Sequence, residues 1–136
     1  MKMKRLINNV VTRAIAITLF LAMPLHAADD PSIKGDLRSN IKASMQKYIS
    51  NNTVDGHLFL YDAVKGNLLK LKLDELHDGI VEKSGFYVSC ADFKDQNGRK
   101  IDVDFLVRPT GKQLLTTQGI VHSINGNKRK YHLEKI

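Results

Sequence analysis

The chain has 136 residues, a net charge of +7 from 21 Lys+Arg against 14 Asp+Glu, 43% hydrophobic residues and one cysteine. A single cysteine excludes an internal disulfide, and this length allows one domain with a modest core. Four of the cations (Lys2, Lys4, Arg5, Arg13) precede residue 28, where no acidic residue occurs. Without them 17 cations face 14 anions, or +3, which gives no argument for nucleic-acid binding.

Residues 1–27 read as a secretory signal peptide. A basic start leads into the apolar run Ala14 to Leu25, broken by Pro24, and Leu25-His26-Ala27 then offers a small residue at the cut site. The run is shorter than the roughly 20 apolar residues of a membrane span, and no Cys stands at the cut to carry a lipid. The expectation is an exported protein, periplasmic or secreted, with no stable membrane anchor after cleavage. Residues 28–136 then form a single α+β domain.

In chain order, Asp30-Pro31 suits a helix cap and first-turn proline. Ile33, Leu37, Ile41, Met45, Tyr48 and Ile49 recur at spacings of three and four, which predicts one amphipathic helix ending near Asn51-Asn52. Everything after Thr53 reads as strand and turn. His57 to Asp62 leads to a Lys65-Gly66-Asn67 turn, and Leu69, Leu71 and Leu73 alternate with polar residues as a half-buried strand. Asp78-Gly79 marks a turn. Phe86 to Phe93 and Ile101 to Val107 flank Asn97-Gly98, Pro109-Thr110-Gly111 turns the chain, and Leu114 to Ile124 pairs back through Asn125-Gly126 onto Lys130 to Leu133.

A two-residue loop at Asn97-Gly98 sets Cys90 opposite Phe105 and Val88 opposite Val107. Phe86, Val88 and Cys90 then share a core face with Ile101, Val103, Phe105 and Val107. Tyr87, Phe93, Asp102 and Asp104 fall on the other, wetter face, and these four are the candidate binding residues. This register makes Cys90 a core thiol.

The order of one N-terminal helix followed by antiparallel hairpins resembles the cystatin-like fold, in which a curved sheet wraps a helix. Where cystatins carry Gln-x-Val-x-Gly, this chain has Asp62-Ala63-Val64-Lys65-Gly66; the glutamine is absent, as is a Pro-Trp pair for a second inhibitory loop. The phrases FYVSCADFKDQNGRKIDVDFLV and GIVHSINGNKRKYH resemble small exported bacterial proteins of uncharacterised function, which implies a compartment and a fold type but no chemistry.

Cys90, Asp92, Asp102, Asp104, His77, His122 and His132 supply metal-ligand atom types. No His-x-x-x-His or Cys-x-x-Cys spacing groups them, and the inferred register separates Cys90 from the two aspartates, so no metal or other cofactor is expected. Asp102 and Asp104 read as alternating charge on a solvated face, with an acid/base pair as the alternative. Lys128-Arg129-Lys130 reads as protection of a sheet edge. The chain is therefore expected to be a non-enzymatic binding module for a protein or small-molecule ligand. A small periplasmic enzyme, or a protease inhibitor acting through the Ala63–Gly66 loop, is the alternative.

Overall fold

The computed structural model describes residues 28–130 and Leu133. The leader and the final residues around Leu133 lie outside the described residues, so the expected export signal and His132 have no structural counterpart here. One helix and seven strands follow in order: α1 Gly35–Asn51, β1 Thr53–Val54, β2 His57–Asp62, β3 Asn67–Lys83, β4 Phe86–Asp95, β5 Lys100–Thr110, β6 Gln113–Ile124 and β7 Asn127–Lys128. Every strand pairs antiparallel with the next, giving a single seven-stranded meander in an α+β arrangement. The helix precedes the described strands but lies inside the chain, at 35–51, rather than at its N-terminus. No helix among the described residues is long and apolar enough to cross a membrane.

The helix forms where its apolar stripe predicts. Ile41, Met45 and Ile49, at successive i+4 positions, are its buried residues. Its start is later than Asp30-Pro31 suggests. Asp30 instead holds a local turn, accepting from Ser32 N at 2.9 Å, and α1 begins at Gly35 with no side-chain cap. The C-terminus stops as expected: Asn52 donates to the Tyr48 carbonyl from both its backbone N and its Nδ2.

Met45 and Ile49 pack on Leu58, Leu60, Leu69, Leu71, Ala91, Phe93, Ile101, Val103, Phe105 and Val121. Ile41 packs with Ile33, Ile80 and Val107. The sheet curls around this core until β2 approaches β6. A Cβ placed on Gly119 would lie 3.1 Å from both Phe105 and Val103 and 3.4 Å from Leu60, so the close approach needs a residue without a side chain. An Arg129–Asp62 ion pair ties the segment after β7 to the end of β2.

Two expected turns differ in the structure. Asp78-Gly79 is not a turn: β3 continues through it to Lys83, and the register shift between Leu76 and Ile80 marks an irregularity. Arg38 Nη1 donates to the Asp78 carbonyl and Ser89 Oγ to the Gly79 carbonyl, which satisfies the backbone the ladder leaves unpaired. The β3–β4 reversal falls instead at Ser84-Gly85, both at positive φ. Asn97-Gly98 does close a hairpin, but with a three-residue loop. Asp95 N donates to Arg99 O, Gly98 N donates to Asp95 O and Gly98 has φ +75°, a type I turn followed by a left-handed residue. The Asp95 carboxylate accepts from Asn97 N, Arg99 N and Arg99 Nε, and so stabilises the longer loop.

That one extra residue moves β4 by one position. Cys90 pairs with Asp104, Val88 with Leu106, Ala91 with Val103 and Phe93 with Ile101. The β5 face is as the sequence reading has it; the β4 face is reversed, because a one-residue slip turns every side chain over. Ala91 and Phe93 face the helix, while Val88, Cys90 and Asp92 lie on the outer face with Asp102 and Asp104.

Candidate functional site

The four candidate binding residues do not form one surface. Phe93 is fully buried under the helix, its ring centroid 6.2 Å from that of Phe105, and Tyr87 packs half-buried against the Ile33–Ile41 cluster. Asp102 and Asp104 are on the opposite side of the sheet. Those two are not solvated charges either: Asp104 has no exposed surface, and the Asp102 side chain is 19% exposed. Cys90, expected on the opposite face, pairs with Asp104 and shares the outer face with both aspartates.

The outer face holds two joined groups of ligand-type side chains. His77, Asp92 and Asp102 present ligand atoms that all lie within 4.8 Å of one another, and so do Cys90, Asp102, Asp104 and His122. Asp102 belongs to both. The strands supply the aspartates and the cysteine by ordinary alternation: Asp92 pairs with Asp102, and Cys90 with Asp104. Irregularities supply the histidines. His77 lies where β3 slips against β4 between Leu76 and Ile80. His122 is the extra residue where β6 shifts against β5, between the pairs Val103–Val121 and Asp102–Ser123. Such re-aiming of a side chain is a characteristic use of a β-bulge.

In the outer group, His77 Nε2 lies 3.0 Å from Asp92 Oδ2, and Lys100 Nζ lies 2.7 Å from the same oxygen. Asp92 Oδ1, Asp102 Oδ1 and His77 Nδ1 are buried without a hydrogen-bond partner among the described residues. Burial works to raise the Asp92 carboxyl, but hydrogen bonds from Lys100 and His77 outweigh it and hold the group below the ordinary carboxylate range. Asp102 has no such compensation. Burial pushes it up to about 6, against the pull of His122 and His77 nearby.

In the inner group, Asp104 Oδ1 accepts from Cys90 Sγ at 3.0 Å and from His122 Nδ1 at 2.8 Å, while Oδ2 accepts from the backbone N of Leu133 at 3.0 Å. Cys90 is buried, as expected, but beside a carboxylate rather than among valines and phenylalanines.

The cationic run after β7 also differs from its expected form. Lys128 and Lys130 are exposed, but Arg129 is largely buried in its ion pair with Asp62. No signal in the sequence foretold that His77 and His122 would join the aspartates, since irregular pairing breaks the alternation from which faces are read. A family model, a curated protein or a solved structure that matches this chain was not found in any of the three comparisons.

Proposed function

We propose that this protein is an exported, non-enzymatic binding module of cystatin-like arrangement whose ligand is a divalent transition-metal ion, taken up by His77, Asp92 and Asp102. The basic, apolar and small-residue order of residues 1–27 supports export, and a helix cradled by a curved meander supports the cystatin-like reading. The observation that carries the metal reading is the pair of buried carboxylate oxygens, Asp92 Oδ1 and Asp102 Oδ1, without hydrogen-bond partners among the described residues, beside a histidine. A buried carboxylate left as Asp102 is left is costly, and a dication supplies what it lacks, while Asp92 beside it is already held ionised by Lys100 and His77. Imidazole and carboxylate together suit zinc and its first-row neighbours. Three protein ligands leave a coordination position open, unlike a closed structural site. Lys100, whose side chain is more than half exposed, holds Asp92 from the solvent side and is free to swing away when an ion arrives.

Zinc titrated calorimetrically into metal-free protein tests the reading. Saturable binding is expected, weakened at least tenfold by His77→Ala and by Asp92→Asn. Wild-type affinity in both folded variants overturns it. Val64 at the tip of the β2–β3 hairpin is 63% exposed, which supports the alternative of protease inhibition through Ala63–Gly66. Inhibition of a papain-type protease by the metal-free protein, abolished by Val64→Asp, would favour that alternative.

A further inference from the structure

The inner group differs from the outer one in donor chemistry, enclosure and support. It offers sulfur, nitrogen and two carboxylate oxygens from Cys90, His122, Asp102 and Asp104, a complete set of four protein ligands. Cysteine, histidine and aspartate are each zinc ligands, and four protein ligands with no open position are what a closed, tetrahedral site needs. Building on the outer-site reading, we propose that these four residues hold a second divalent ion of the zinc class, with the Asp102 carboxylate shared between the two ions.

Three observations support it. First, two hydrogens already converge on one point: Cys90 Sγ and His122 Nδ1 both donate to Asp104 Oδ1, at 3.0 and 2.8 Å. An ion entering there takes the place of those hydrogens. The thiol loses its proton to solvent as the metal–sulfur bond forms. The imidazole binds through Nδ1 with its proton carried on Nε2, or releases one proton if the ring was doubly protonated. Second, the ligand atoms lie within 4.8 Å of one another, and ligand atoms around a tetrahedral zinc sit roughly 3.3–3.8 Å apart. Closing that gap takes side-chain movements of about an ångström. Third, the ligands are held from behind. Leu133 N fixes the Asp104 carboxylate through Oδ2, the kind of outer hydrogen bond that orients a ligating group. Asp104 has no exposed surface, and the His122 side chain is 5% exposed. Sharing one aspartate sets the two ions close together, as in carboxylate-bridged pairs some 3.5–4 Å apart.

Enclosure also separates the two sites kinetically. Leu133 is buried with its N–H on Asp104, whose carboxylate has no exposed surface, whereas the outer position faces solvent through the exposed edges of His77 and Asp102. The inner ion should load and leave more slowly.

Cobalt(II) titrated into the full chain, expressed with its own leader, purified, reduced and stripped of metal, decides the matter. The expected result is two equivalents per chain, one of them bringing a thiolate-to-cobalt charge-transfer band and strong tetrahedral d–d absorption. Cys90→Ser should remove that band and one equivalent while keeping the other, and His77→Ala should do the reverse. One equivalent without the thiolate band in the wild-type protein overturns the inner site and leaves the outer one standing. No binding at all overturns both, and a folded Cys90→Ser variant that still takes up two equivalents with wild-type affinity overturns the assignment of the sulfur. The wild-type titration alone is decisive if Cys90→Ser fails to fold.

Discussion

Replacing Asp102 by Asn should make the metal-free protein more stable at neutral pH. The Asp102 carboxyl is largely buried, its Oδ1 lacks a hydrogen-bond partner among the described residues, and its pKa is raised from 3.8 to about 6. A raised carboxyl binds its proton more tightly in the folded state than in the unfolded one. Stability therefore falls as pH rises from about 4 to about 6, and the full penalty is present above that window. A shift of this size corresponds to roughly 3 kcal/mol at pH 7.5, an upper figure because Asn must satisfy its own amide. Even half of it would raise Tm by roughly 6–12 °C in a domain of this size. Thermal unfolding in chelator at pH 7.5 and pH 4 is the assay. We expect the variant to melt higher at pH 7.5 and level with wild type at pH 4, where both side chains are neutral. The same variant should lose affinity for zinc, because the charge that strains the free protein is the charge that binds the ion. A variant that melts lower than wild type at pH 7.5 in chelator would show that the carboxylate is already well paired, and the reasoning would fail.

Asp95→Asn should cost on the order of 2 kcal/mol near neutrality, since it weakens charge-assisted bonds to Asn97, Arg99 and the Arg99 side chain. Asp95 is held below the ordinary range: burial opposes this, but the Arg99 and Asn97 bonds prevail. Its contribution is therefore present above about pH 4 and disappears on further acidification, so urea midpoints of the two proteins should converge in acid. Gly119→Ala should destabilise by about 1–3 kcal/mol, because its methyl group meets Phe105 and Val103 at 3.1 Å; an unchanged urea midpoint would show that the core gives way easily. Phe105→Ala should cost about 3–5 kcal/mol by the same measurement, as for other fully buried aromatics. Cys90 in the reduced, metal-free protein should react slowly with a thiol reagent and rapidly in denaturant; fast labelling of the native protein would contradict its burial.

How much was legible in the sequence depended on whether a segment kept its period. The helix stripe kept it, and Ile41, Met45 and Ile49 are buried as the spacing predicts. Asn125-Gly126 keeps the two-residue form, with both residues at positive φ and Ile124 paired with Asn127. In the Asn97-Gly98 hairpin the loop length is chosen by Asp95, whose carboxylate collects the loop's N–H groups. An aspartate at the first turn position favours the longer loop, which shifts the register on which the two-residue reading depends. That one residue turns over the whole β4 face and brings Cys90 beside the aspartates. The histidines were harder still. His77 and His122 come from places where one strand carries more residues than its partner, and nothing in the local composition of LHDGI or VHSIN announces the extra residue.

Under the proposed export, the attachment of the first described residues to β3 would set an order of events for biosynthesis. Asp30 N donates to the Ile80 carbonyl at 2.7 Å, Ile80 N donates to the Asp29 carboxylate at 3.0 Å, and Arg38 grips that same carboxylate at 2.7 Å. If the leader is cut after Ala27, a single residue separates the scissile bond from this clamp. A peptidase must draw several residues on either side of the bond into an extended strand, at roughly 3.3 Å per residue. Those residues are not available once Asp29 and Asp30 have docked. On the proposed export reading, cutting has to precede closure of the domain: a chain that folds first would shield its own processing site, whereas a chain cut while still extended would be released and then seal its new end against the sheet.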